Sequence, residues 1–159
     1  MSYSVPSALY PYELQAPAFA GMKADTMVGN TSTYPAKNDI EFGTVFGLDA
    51  NGYAVMPVGA KAGGIALHSH SAAAVDGKWV IGTAVPGFDK GRVWAKAGGA
   101  CTPGAVAKYD PATGVFSDAG TATLANAEFR SALVSVPGVR AGIDPTESIV
   151  LVELHSPRV

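Results

Sequence analysis

Three sets of side chains in this 159-residue chain have types and spacings that could do chemistry. The first is His68-Ser69-His70. In an extended strand, residues i and i+2 lie on one face, so both imidazoles could meet one metal ion. A third ligand would have to come from afar, from His155, Asp76 or Asp89, and nothing in the sequence demands it. Two solvated histidines at a strand end are the simpler reading. The second is Cys101, the one cysteine. A catalytic thiolate needs a base and an activating environment, and the sequence supplies neither, so a small buried thiol is expected. The third is Trp79 with Trp94, which would form a sugar-stacking platform if both rings were exposed on one face. Core or interface packing accounts for large aromatics more often. No serine sits in a Gly-x-Ser-x-Gly elbow, and no glycine-rich phosphate loop precedes a Lys-Ser or Lys-Thr. Asp110 stands in an Asp-Pro pair, where it forms a turn. The residues point to no enzyme, no cofactor and no metal.

Composition narrows the class further. A net charge of -2 with 11 scattered basic residues leaves no electrostatic footprint for nucleic acid. The chain has no basic segment followed by an apolar one at its start, and no apolar run of the ~18 residues that crossing a bilayer takes, so neither secretion nor membrane insertion is expected. A lone cysteine excludes an internal disulfide framework. Charged residues make up only 15%, while Gly 19 and Pro 11 are plentiful. Many short strands joined by tight turns have this composition, and so does a domain that lies against another protein.

The elements follow from the punctuation. Residues 1–25 read as an extended N-terminal arm, because Pro6, Pro11 and Pro17 remove backbone donors and disfavour helix before them. Tyr3, Tyr10, Tyr12 and Phe19 stud this arm, whereas a disordered leader is normally poor in aromatics, so the segment either packs on its own domain or orders against a neighbouring subunit or partner. Residues 26–159 read as a single β domain of a size that can bury a core unaided. Its focus is Gly91 to Phe116. Val93, Ala95 and Ala97 share one face of a strand there, and Arg92, Trp94 and Lys96 the other. Asp89-Lys90-Gly91 is read as a turn into this strand, and Asn30 to Asp39 as a polar stretch. Asn51-Gly52 signals a hairpin between Phe42 and Val58. Gly43-x-Val45-x-x-x-Asp49-x-x-Gly52 resembles Gly104-x-Val106-x-x-x-Asp110-x-x-x-Gly114, a weak internal echo. Ala122 to Val136 is Ala-rich and ambiguous between a helical turn and strand. Ile149 to Leu154 is nearly all apolar and reads as a central strand buried on two sides. The fold class is all-β, a small barrel or sandwich.

Several of these stretches together resemble the capsid decoration, or cement, proteins of tailed phages. Pro17 to Asp25 is similar to that family's A-x-x-G-M-x-A-D element. Gly43-Thr44-Val45-Phe46 and Gly64-Ile65-Ala66 are similar to its first β segments, and Gly91 to Phe116 and the closing strand to its C-terminal half. The resemblance implies a tulip-like or jelly-roll β domain that binds the outer surface of a mature, expanded head where major capsid subunits meet, holding the shell against internal DNA pressure. It implies a virion component made in the host cytoplasm, a homo-oligomer (trimer or dimer), and the major capsid protein as partner. With the arm ordering on the shell by strand addition, the residues expected to interact are Tyr3, Tyr10, Tyr12, Phe19, Met22, Arg92 and Trp94. The alternatives are a carbohydrate- or receptor-binding β-sandwich of a phage tail, using Trp79 or Trp94, and a metal-dependent hydrolase around His68 and His70.

Overall fold

Glycine and proline cut the chain into short strands, and in the computed structural model, which describes residues 18–25, 29–69, 74–75, 77–136 and 146–155, those residues form twelve strands and no helix. They are β1 (Asn30–Pro35), β2 (Ile40–Glu41), β3 (Val45–Leu48), β4 (Ala54–Val55), β5 (Ala62–Ala66), β6 (Ala74–Val75), β7 (Lys78–Trp79), β8 (Ala84–Lys96), β9 (Val106–Tyr109), β10 (Ala122–Phe129), β11 (Val134–Val136) and β12 (Glu147–Leu154). One antiparallel sheet runs in the order β4-β3-β5-β8-β12-β10-β9, with β1 also paired to β8 and β11 to β12. It curls into a half-barrel. A small sheet, β2-β7-β6, completes the fold.

The long strand β8 organises the sheet. Val93 and Ala95, with Ala97 just beyond, are buried on its inner face, and Arg92, Trp94 and Lys96 are half-buried on the outer one. The expected turn at Asp89-Lys90-Gly91 does not form. These residues lie within β8, and Gly91 bends the strand instead, at φ +114, with the Phe88 ring 2.7 Å from where a Cβ would stand. A glycine can bend a strand without ending it. β12 lies between β8 and β10, as its apolar sequence requires. Val150, Val152 and Leu154 fill the core on one face, and Ile149 is buried on the other.

The polar stretch after Asn30 becomes β1, an edge strand along the first half of β8. Only Ser32 and Tyr34 are partly covered, so the strand carries no apolar alternation to read. Ala122 to Val136 resolves as two strands, β10 and β11, rather than a helical turn. β10 shifts register against β9 between Thr123 and Glu128, and Asn126 sits there at φ 56. That bulge is the source of the mixed sequence signal.

The two similar motifs build similar turns. The Asp49 carboxylate accepts from the backbone N–H groups of Asn51 and Tyr53, both at 2.9 Å, and the Asp110 carboxylate accepts from Ala112 at 2.9 Å. Each turn then reaches a glycine with positive φ, Gly52 and Gly114. The Asp110 turn abuts β3, where Val45 N–H donates to Gly114 O at 2.9 Å. The echo stops at the turns, since Val45 is buried while Val106 is exposed.

The main core joins Phe88, Phe116 and Phe129 to Val45, Val93, Leu124 and Val150, among others. Phe116 meets Phe129 edge to face at 6.1 Å and Tyr109 at 6.2 Å. Each buried phenyl ring contributes about 1.5–3 kcal/mol over exposure. A second cluster, with Ile40, Phe42, Phe46, Trp79 and Val85, fills the end under the small sheet.

Candidate interaction surface

The G-M-x-A-D element is where the arm joins the body. β8 has β12 on one side of its second half. On the other side lie residues 21–24: Gly21 N–H donates to Trp94 O at 2.7 Å, Trp94 N–H to Met22 O at 2.9 Å, and Ala24 N–H to Arg92 O at 3.0 Å. Lys23 and Val93 form an antiparallel bridge. The root of the arm is thus a strand addition to its own sheet.

Gly21 is fixed by geometry. Its carbonyl accepts from His68 N–H at 2.9 Å, its φ is +84, and a Cβ there would stand 2.5 Å from the His68 nitrogen. No other residue type fits both constraints. From Gly21 the chain leaves β8 and crosses the outer face of the sheet. Ala18 and Ala20 are buried there with Ile149 of β12 and Val136 of β11, and Met22 and Trp94 pack against them half-buried. Alanines suit this crossing because the backbone lies close to the sheet. Ala20 Cβ is 2.8 Å from the point where Gly43 would carry its own Cβ.

Phe19, between the two alanines, turns the other way. Its ring meets His68 edge to face at 4.4 Å, His68 meets Phe42 at 5.0 Å, and Phe42 meets Trp79 at 5.8 Å. Trp79 Nε1–H donates to Leu67 O at 2.9 Å. A chain of four rings therefore runs from the arm root into the second core cluster. Edge-to-face aromatic pairs add about 0.5–1.5 kcal/mol each beyond area burial.

Below the crossing lies a line of charges. Arg92 Nε stands 3.2 Å from Glu153 and 3.8 Å from Asp25, the last residue of the element. Glu153 also receives Arg130, whose other nitrogen is 2.7 Å from Glu128, and Glu128 meets His155 Nε2 at 2.6 Å. Partial burial pushes the Glu153 carboxyl up. The hydrogen bond and charge of Arg130, with the charges of Arg92 and His155, outweigh that and hold it below the ordinary glutamate range.

Of the residues singled out in the sequence, Phe19, Met22, Arg92 and Trp94 come together at this arm root. Tyr3, Tyr10 and Tyr12 lie outside the described residues, as do His70 and Asp76. His68 is packed between phenyl rings rather than solvated, because the arm root lies over it. His155 pairs with Glu128, far along the chain from His68, and among the described residues no three His, Cys, Asp or Glu side chains are grouped as a metal site. Cys101 is buried, and burial with the nearby Asp118 charge pushes its thiol up to about 11, as an inert core thiol requires. Trp79 is buried and Trp94 half-buried under Met22, so the two rings make no open sugar platform. Sequence reasoning missed Ala18, Ala20, Gly43, Val136 and Ile149 as parts of this site. The alternation of small residues in Ala18-Phe19-Ala20-Gly21 was the available signal for a close crossing.

Comparison with known proteins follows the same line. The model of a phage family described as structural cement protein (E217 gp24/Pam3 gp6) matches residues 5–155. No curated protein matches the chain. Among solved structures, a chain from "The capsid of Myoviridae Phage XM1" shares the fold, with a TM-score of 0.68 and 15% identity over 91% of this chain and 94% of that one.

Proposed function

The chain belongs to the structural cement protein family of phages, and from that premise we propose that it binds the outer surface of the mature head where major capsid subunits meet, and steadies the shell against the pressure of packaged DNA. The role is structural rather than catalytic. The observation that carries the reading is the arm root: three backbone hydrogen bonds to β8, a fourth to His68 and a buried cluster fix residues 18–25 to the sheet, so the arm starts from one rigid point. A tether anchored in this way loses less entropy when its tip is captured.

In this reading Tyr3, Tyr10 and Tyr12 are the contacts with the shell, made by strand addition with side chains filling pockets. Phe19, Met22 and Trp94 position the arm, and Arg92 holds its base through Asp25. The protein acts as a dimer or trimer on the shell, where many modest contacts add up. It is made in the host cytoplasm and added to the head from outside.

Co-sedimentation with undecorated, expanded heads of the cognate phage tests this. Saturable binding at a fixed ratio to the major capsid protein is expected, and the ratio reports the oligomer. Folded protein that stays in the supernatant would overturn the reading.

A further inference from the structure

β8 and β12 separate β5 from the pair β9–β10 in the sheet, and the curl of the half-barrel brings them together across a cleft of about 220 Å³. Tyr109 and Leu124, both buried, form its floor. Lys61 and Ala62 stand on one side of it, Thr123 and Ala125 on the other. The cleft stays open because Ala62 and Ala125 carry no atoms beyond Cβ.

Its size selects an occupant. A cavity of about 150 Å³ already holds a benzene ring, whereas pockets for cofactors start at about 300 Å³. The cleft fits one side chain of a partner protein, not a nucleotide or a coenzyme.

Its charge selects further. Lys61 lines the cleft, and Lys108 stands directly opposite Thr123 in the β9–β10 ladder, so Lys108 and Thr123 share a face. Both lysines are exposed. Lys37, Lys78, Lys96, Arg92 and Arg130 each pair with a carboxylate, but among the described residues Lys61 and Lys108 pair with none. No carboxylate lines the cleft. Two uncompensated cations beside an apolar recess favour an acidic partner.

We propose that this cleft docks an acidic segment of the major capsid protein. An apolar side chain enters between Ala62 and Ala125, and a flanking carboxylate meets Lys61 and Lys108. The inference rests on the capsid reading and adds a second hold to it, since the cleft shares no residue with the arm root. A clamp that grips at two points releases the shell only when both let go.

Titrated co-sedimentation of the full chain with undecorated, expanded heads tests the cleft. Lys61→Glu reverses its charge and Ala125→Leu fills it, and both residues are exposed, so the domain is expected to fold in each variant. Each is expected to weaken binding about tenfold or more. Lys78→Glu makes the same change of net charge on the small sheet, outside the cleft, and is expected to bind as the natural chain does. If the natural chain binds and either cleft variant binds equally well, the inference is overturned and the capsid reading stands. An equal loss in Lys78→Glu also overturns it, because net charge alone would then explain the effect. A cleft variant that alters the oligomer of the free protein in sedimentation velocity makes a second copy the occupant, and overturns it too. If the natural chain does not bind, both readings fall.

Discussion

The carbonyl of Gly21 takes the backbone N–H of His68 at 2.9 Å, and a Cβ on Gly21 would stand 2.5 Å from that same nitrogen. One contact thus joins the arm root to the end of β5 and forbids a side chain at the joint.

Gly21→Ala is expected to loosen the arm root. The alanine must hold positive φ, which costs on the order of 1–3 kcal/mol, and must push back backbone rather than a flexible side chain. Chemical denaturation should show a loss of that size, and limited proteolysis should cut sooner near residue 20. Unchanged stability and cleavage would mean that the root is not held as described.

Trp94→Ala removes a ring that the arm root packs on, while β8 keeps its backbone pairs with residues 21–24. The domain is expected to fold with a loss of about 1–3 kcal/mol, the ring being only half-buried. Binding to expanded heads should weaken while sugar binding stays absent in a glycan screen. A glycan ligand lost in this variant would instead support the tail-module alternative.

The Cys101 thiol, pushed up to about 11 from 9.0, forms about 100-fold less thiolate at neutral pH than an ordinary cysteine. Alkylation of the native protein should be slow by that factor or more and become normal on unfolding. Its contribution to stability is complete below pH 9.0 and is lost as pH rises toward about 11, since the unfolded chain ionises first. Fast alkylation at neutral pH would refute a buried thiol.

Glu153 and Asp49 both have carboxyls held below their ordinary values, Asp49 chiefly by the Tyr53 backbone N–H. A depressed carboxylate stabilises the fold above its unfolded pKa and stops doing so as pH falls through the folded value. The thermal midpoint should therefore hold from neutral down to about pH 4.5 and decline below it. In Glu153→Gln the acid-side decline should be shallower, at the cost of a lower midpoint at neutral pH. An identical acid profile would show that Arg92 and Arg130 do not depend on this carboxylate.

Strands with a buried face and turns with special chemistry are legible in the order of residues alone. Val93, Ala95 and Ala97 alternate because β8 has one wet side, and Ile149 to Leu154 is apolar because β12 is central. Asp49-Ala50-Asn51-Gly52 and Asp110-Pro111-Ala112-Thr113-Gly114 announce their turns through side chains that bond their own backbone. β1 was illegible, since an edge strand with little buried surface has no pattern to show. So was the continuity of β8 through Gly91, where a glycine that usually marks a turn instead makes room for Phe88.

What the arm-root residues touch is set by the folded chain and not by local spacing. Phe19, Met22, Arg92 and Trp94 stand out as aromatic, large or charged, but their meeting depends on Gly21, Ala18 and Ala20 passing close over β8, β12 and β11. β8 lies some way along the chain from the arm root and β11 and β12 farther still, and small side chains advertise nothing on their own. A contact set by long-range backbone approach leaves almost no trace in local spacing, because what it selects for is the absence of side-chain atoms.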